Sequence, residues 1–184
     1  MSFDTVEQNR SRQQFDGLSS VWLFGYGSLI YKVDFPFLEK RPATIEGWAR
    51  RFWQGSHDHR GTPEAPGRVV TLVEQPDARC KGMAYRVSPY VFEHLDVREK
   101  NGYLRFTTPM EFDNGAVEDG LVYIATEDNA AFLGPATSEA IARQIARSTG
   151  PSGPNRDYLL NLAEALRALG DYDAHVFEIE NHLR

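Results

Sequence analysis

Cysteine is nearly missing from this sequence. Cys80 is the only one in 184 residues, so no disulfide can form within the chain and no cysteine-based zinc site can be built. Long apolar runs are missing too. The longest, residues 21–31, carries two glycines and falls well short of the roughly 20 residues that span a bilayer as a helix. The first twenty residues are polar and mixed in charge, without the apolar stretch of a secretory leader, so the expected compartment is the cytoplasm. Positive charge is in deficit: 20 Lys and Arg face 26 Asp and Glu, a net charge of −6. That sign argues against nucleic acid or an anionic membrane as partner, while a locally basic site could still take a small anionic substrate. Two enzyme signatures are also lacking. No serine sits in a Gly-x-Ser-x-Gly elbow, which disfavours an α/β-hydrolase triad. The Gly25-x-Gly27 segment lacks a Gly-Lys-Ser/Thr ending, and Ile30 stands where a dinucleotide fingerprint needs its third glycine. Nucleotide binding is therefore disfavoured.

The composition that remains, 41% hydrophobic and 25% charged, suffices for one domain with its own core. Residues 1–20 read as a polar, loosely ordered arm and residues 21–184 as a single domain. The apolar run 21–24 reads as a buried strand ended by the Gly25-x-Gly27 turn. Further strands are expected over 50–53, 68–73, 82–87, 103–107 and 117–125, with Asn114-Gly115 as a type I′ hairpin turn. Ser88-Pro89 opens a helix that carries Phe92, Leu95 and Glu99 near one face and stops at Asn101-Gly102. Thr137 caps a helix with Ile141 and Ile145, halted by Gly150-Pro151. After Gly153-Pro154, the residues Leu159, Leu162, Ala163, Leu166 and Leu169 follow helical spacing up to Gly170. Val176, Ile179 and Leu183 suggest a last short helix. Successive strands followed by clustered helices indicate an α+β domain.

Two segments carry candidate chemistry. In Phe24-Gly25-Tyr26-Gly27-Ser28-Leu29, two glycines free backbone N–H groups to face a ligand and Ser28 adds a hydroxyl. Taken alone, such a turn is as readily plain strand-to-loop geometry. In the stretch from Leu95 to Tyr103, Glu99 sits near a helix stop with Val97 and Tyr103 around it. That places a carboxylate in a partly apolar setting, although the same residues also read as the charged end of a surface helix. Other features weigh less. His57-Asp58-His59 lies in a loop with no third strong ligand nearby, so no metal site is expected. Cys80, between Arg79 and Lys81, reads as structural rather than nucleophilic. Trp48, Phe52 and Trp53 read as core.

Four segments, in this order, resemble the ChaC-type, glutathione-specific γ-glutamylcyclotransferases. They are Phe24-Gly25-Tyr26-Gly27-Ser28-Leu29-Ile30 with Asp34-Phe35; Arg51-Phe52-Trp53-Gln54-Gly55 with His59-Arg60-Gly61; Pro66-Gly67-Arg68-Val69-Val70-Thr71-Leu72; and Arg98-Glu99-Lys100-Asn101-Gly102-Tyr103. Asn155 with Tyr158-Leu159 is a fainter fifth. The resemblance implies a small, barrel-like mixed sheet with flanking helices. It also implies that the Gly25-Tyr26-Gly27-Ser28 loop binds the γ-glutamyl group of glutathione and that Glu99 is the acid/base. The implied reaction is of lyase type: the substrate's α-amine attacks its own γ-carbonyl, giving 5-oxoproline and cysteinylglycine without water, metal or redox cofactor. On that mechanism Arg68 is a candidate for a substrate carboxylate, and Tyr158 for a wall or hydrogen bond. The rival expectations are a cyclotransferase acting on other γ-glutamyl-amino acids or γ-glutamyl-amines, and a non-catalytic binding domain of the same fold.

Overall fold

The computed structural model describes residues 5–10, 12, 18–100 and 102–183. In chain order these form α1 (Val6–Arg10), β1 (Val21–Gly25), a 3-10 turn (Ser28–Ile30), β2 (Glu39–Ser56), β3 (Gly67–Val87) and α2 (Val91–Arg98). There follow β4 (Tyr103–Phe112), β5 (Val117–Ala125), α3 (Ser138–Arg147), the short pair β6 (Thr149–Gly150) and β7 (Gly153–Pro154), α4 (Asn155–Ala168) and α5 (Ala174–Leu183). Five strands close into a barrel in the order β1-β3-β2-β4-β5. All neighbours are antiparallel except β1 and β5, which meet in parallel at Leu23↔Leu121. The barrel is thus small and mixed, with helices on its flanks.

Two long strands curl to make that closure. The segments expected separately at 68–73 and 82–87 belong to one strand, β3, and the segment at 50–53 lies inside β2. The polar stretch between the two β3 segments bulges: Trp48 pairs with Glu74 and Glu46 with Arg79, so residues 75–78 have no opposite number on β2. A second bulge lies between Arg51 and Gln54. Bulges bend a strand and raise its twist, which lets long strands wrap a narrow barrel. The β4–β5 hairpin is present, but its turn is not type I′. Asn114 does not take a positive φ; only Gly115 does, at 86°. The Gly115 N–H donates to Phe112 O and the Phe112 N–H to Ala116 O. This is a three-residue loop ending in a left-handed glycine.

The main core fills the barrel with Phe24, Ile45, Phe52, Leu72, Met110 and Ile124, and continues into α3, α4 and α5 through Ile141, Leu162 and Val176. Thr137 caps α3, its hydroxyl accepting from the Ala140 N–H at 3.1 Å, and Leu159, Leu162, Ala163 and Leu166 are buried along α4 as their spacing predicts. A smaller cluster of Leu23, Leu29, Tyr85, Phe92 and Leu95 lies beneath α2. Within the stretch read as loosely ordered, Val6–Arg10 is helical and Asn9 is fully buried. Among the described residues no helix is long and apolar enough to cross a membrane.

Candidate active site

α2 ends at Glu99. Its N–H still donates to Leu95 O at 2.8 Å, and Gly102 then turns the chain at φ 101° toward β4; the other half of the expected stop, Asn101, lies outside the described residues. The turn delivers the Glu99 side chain, only 20% exposed, into a cleft at one end of the barrel. The same cleft continues to the loop that leaves β1, where Phe24, Gly25, Tyr26, Gly27, Ser28 and Leu29 line it opposite Glu99. Ser28, Glu99, Tyr103 and Tyr158 border both parts.

The loop is pinned from behind. The Arg50 Nε donates to Tyr26 O at 2.6 Å, the Tyr85 hydroxyl to Leu29 O at 2.5 Å, and the Tyr26 hydroxyl to Tyr123 O at 2.5 Å. Arg50 is itself buried and ion-paired to Asp173 at 2.7 Å. Gly27 makes the tightest approach. A Cβ there would stand 2.7 Å from Val70 Cγ2 and 3.0 Å from the Tyr158 hydroxyl. The first N–H groups of the 3-10 turn, Ser28 and Leu29, have no partner within it, as at any helix start, and no side chain caps them.

Electrostatics single out Glu99. Burial raises its carboxyl above the ordinary carboxylate range, opposed by Arg98 and His59 and aided by Asp58 and Asp34. Arg98 only partly neutralises it: its Nε lies 3.8 Å from Glu99 Oε1, while its Nη1 donates to Asp34 at 2.8 Å. Burial likewise lifts Tyr26 and Tyr103 well above their usual range, and Tyr158 in the same direction. All three keep their hydroxyl protons at neutral pH. The Tyr103 hydroxyl donates to Val70 O at 2.9 Å. The Tyr158 hydroxyl accepts from the Val70 N–H at 3.2 Å, which leaves its own hydrogen for the cleft. Lys32, the buried Arg60 and Arg98 line the cleft beside Asp58 and Glu99, so cationic groups are at hand within an acidic chain.

A family model described as "ChaC-like protein" matches residues 21–184. The chain belongs to the ChaC-like family. Its relatives include "Gamma-glutamylcyclotransferase 2-3" of Arabidopsis thaliana, 49% identical over 90% of this chain and 89% of that one. "Glutathione-specific gamma-glutamylcyclotransferase 1" of Danio rerio is 47% identical over 89% of each chain. The crystal structure of the yeast γ-glutamyl cyclotransferase specific to glutathione superposes with a TM-score of 0.79 at 34% identity, over 90% of this chain and 98% of that one. The barrel with flanking helices is therefore the ChaC-like fold.

Within this ChaC-like chain, the six loop residues, Glu99 and Tyr158 come together in one cleft. Arg68 does not join them. Its Nε donates to Gln144 at 2.8 Å, and its Nη1 to Phe52 O and Gly134 O at 2.9 Å each. The guanidinium ties β2 and the loop before α3 to α3 itself, so it is not placed to receive a substrate carboxylate. Cys80 is buried, and burial pushes its thiol up to about 11, which fits a structural role. Asp58 and His59 border the cleft, and no group of three His, Cys, Asp or Glu that could hold a metal occurs among the described residues. Sequence reasoning missed Arg50, Lys32 and Arg60, and set Tyr103 beside Glu99 without giving it a role. Arg60 and Tyr103 stood inside the segments that carry the family resemblance, whereas Lys32 and Arg50 had no local signal.

Proposed function

We propose that this ChaC-like chain is a glutathione-specific γ-glutamylcyclotransferase, working by ring closure with Glu99 as its general acid and base. The observation that carries the reading is the desolvated Glu99 carboxyl facing the pinned Gly25–Ser28 loop across one cleft. The names of the curated relatives support the substrate assignment.

Glutathione already holds its nucleophile and electrophile in one molecule, so the site chiefly has to enforce a folded conformer. Oriented intramolecular reactions reach effective molarities of roughly 10⁵–10⁸ M. Glu99, raised toward neutrality by burial, takes a proton from the α-ammonium. The freed amine adds to the γ-carbonyl, and backbone N–H groups of the Gly27–Leu29 stretch stabilise the oxyanion, with the Tyr158 hydroxyl as a further donor. As the C–N bond to cysteine breaks, Glu99 returns the proton to the departing amine, and the second proton, shed by the ring nitrogen as it becomes an amide, passes by the same carboxylate to leave cysteinylglycine as its ammonium. One 5-oxoproline and one cysteinylglycine leave, and no water is consumed. The cations of Lys32, Arg60 and Arg98 along the cleft can receive the carboxylates of a substrate in which two carboxylates outnumber one ammonium.

Mass spectrometry of the products in ¹⁸O-labelled water tests this. The expected result is 5-oxoproline free of solvent oxygen, and no reaction with N-acetylated glutathione, whose α-nitrogen is no longer nucleophilic. Free glutamate carrying the label as the primary product would refute ring closure. A panel of other γ-glutamyl-amino acids and γ-glutamyl-amines tests the specificity.

A further inference from the structure

The N-terminal segment, which precedes the family match at residue 21, completes the wall behind Glu99. β4 pairs with β5 from Tyr103↔Ala125 to Glu111↔Val117, but with β2 only at its far end, at Ala43↔Phe112 and Thr44↔Glu111. At the cleft end, the other edge of β4 therefore has no strand partner among the described residues. Such an edge needs hydrogen bonds from elsewhere, and residues 5–12 supply them. The Asn9 Nδ2 donates to Tyr103 O at 2.9 Å, and its Oδ1 accepts from the Arg105 N–H at 2.8 Å. One buried side-chain amide thus takes the place of a neighbouring strand. The Arg12 Nε donates to Arg105 O. Thr5 reaches nearest to Glu99. Its N–H donates to Lys100 O at 2.8 Å, and its Oγ1 faces three carbonyls, Tyr103 O at 2.9 Å, Lys100 O at 3.0 Å and Glu99 O at 3.4 Å.

These bonds all fall between Glu99 and Arg105, the turn that carries the acid/base out of α2 and the cleft-wall Tyr103 into β4. Satisfying the β4 edge and fixing this turn are thus done by the same few side chains. Building on Glu99 as the acid/base of the proposed reaction, we propose that Thr5 and Asn9 are positioning residues. They hold the backbone of the turn so that the Glu99 carboxyl stays in the cleft, aligned with the Gly25–Ser28 loop.

Thr5→Val removes the hydroxyl at nearly constant shape and is the discriminating variant; Asn9→Ala removes more and could compromise folding. Assayed well below its Tm, Thr5→Val should lose roughly ten-fold in kcat on glutathione with KM within about two-fold. A misplacement near 1 Å can cost up to ~100-fold. Thr5→Ser, which restores the hydroxyl, should recover most of the loss. A substrate-free readout is the ¹³C titration of the Glu99 carboxyl. The groups facing it are Arg98, Arg60, Asp58, His59, Asp34 and Lys32, with the hydroxyls of Tyr26, Tyr103, Tyr123 and Tyr158. None of these is altered in the variant, so a loosened turn should show as a midpoint moving down toward the ordinary carboxylate range. A folded Thr5→Val with wild-type kcat would overturn the proposal. Should the wild type itself fail to convert glutathione, the functional reading fails, and an unchanged Glu99 midpoint in Thr5→Val then overturns the positioning role separately.

Discussion

Replacing Glu99 by Gln separates catalysis from stability, because the two should move in opposite directions. The substitution keeps the shape of the side chain at the end of α2 and removes its basicity. General acid–base assistance is worth roughly 10²–10⁴ in rate, so kcat on glutathione should fall by that factor, or about 2.7–5.4 kcal/mol of activation free energy at 1.36 kcal/mol per decade. The wild-type acid limb of kcat/KM against pH should lie above the ordinary carboxylate range, since burial of Glu99 outweighs the opposing Arg98 and His59, and Gln should abolish that limb. Stability obeys the reverse sign. A carboxyl raised in the folded state binds its proton more tightly folded than unfolded. Its stabilising contribution is complete below the unfolded value of roughly 4.3 and is lost as pH rises through the higher folded value. At neutral pH the variant, freed of a desolvated charge, should therefore unfold at a Tm equal to or above wild type, with the gain vanishing in acid. Parallel thermal melts and steady-state kinetics from pH 4 to 9 read both effects. Turnover by the folded variant within ten-fold of wild type would refute the assignment. Neither neighbour on α2 is an obvious replacement: Glu93 is exposed, and Asp96 accepts a 2.6 Å hydrogen bond from the Tyr123 hydroxyl.

Two further outcomes follow from the geometry. Gly27→Ala would drive a methyl into Val70 and the Tyr158 hydroxyl, so it should cost about 1–3 kcal/mol of stability and lower kcat/KM at least ten-fold; unchanged kinetics would mean the loop need not approach β3 so closely. Arg68→Ala strands Phe52 O, Gly134 O and the Gln144 side chain. A loss of about 2–4 kcal/mol, or roughly 5–15 °C in Tm for a chain of this size, is expected with KM for glutathione little changed. A ten-fold rise in KM without loss of Tm would return Arg68 to the substrate.

The legible parts of the site were those made by neighbours in sequence. The Gly25–Ser28 loop and the end of α2 at Glu99 are each signalled by a few contiguous residues, a glycine-rich turn and a helix stop, although Arg50, Tyr85 and Tyr123, far away in sequence, fix the loop in place. Thr137, the Leu159–Leu166 spacing and Gly170 were readable for the same reason. Arg68 was not, because its partners lie 16, 66 and 76 positions away; a basic residue before a strand reads the same whether it faces ligand or scaffold. The full extent of β3 was hidden because residues 74–79 are polar, and composition cannot tell a bulge within a strand from a loop between two. Asn114-Gly115 predicted the right hairpin and the wrong turn, since the dipeptide suits both a two-residue loop and a three-residue loop with left-handed glycine. The docking of Thr5 and Asn9 was hidden as well. Their polarity read as solvation, yet in the fold it satisfies the open edge of β4.

The two halves of the site reach the cleft by different routes but rest on one foundation. The loop leaves β1 and sets Leu29 into the small cluster beneath α2, where Leu23 and Tyr85 receive it. Glu99 leaves α2 itself, whose Phe92 and Leu95 fill the same cluster from the opposite side. The spacing between the loop and the Glu99 carboxyl is therefore set by this minor core together with the main core, which holds Phe24, Tyr26, Val70 and Tyr158 on the other side of the loop. Tyr123 connects the minor core to the loop and to a buried charge pair. Its backbone carbonyl accepts from the Tyr26 hydroxyl, and its own hydroxyl donates to Asp96, which lies 3.4 Å from Arg105. Arg105 in turn donates to Asn9 O. A buried ion pair contributes little net stability compared with an apolar pair of the same volume. What this one does is join the N-terminal segment, α2, β4 and β5 beside the turn that bears Glu99.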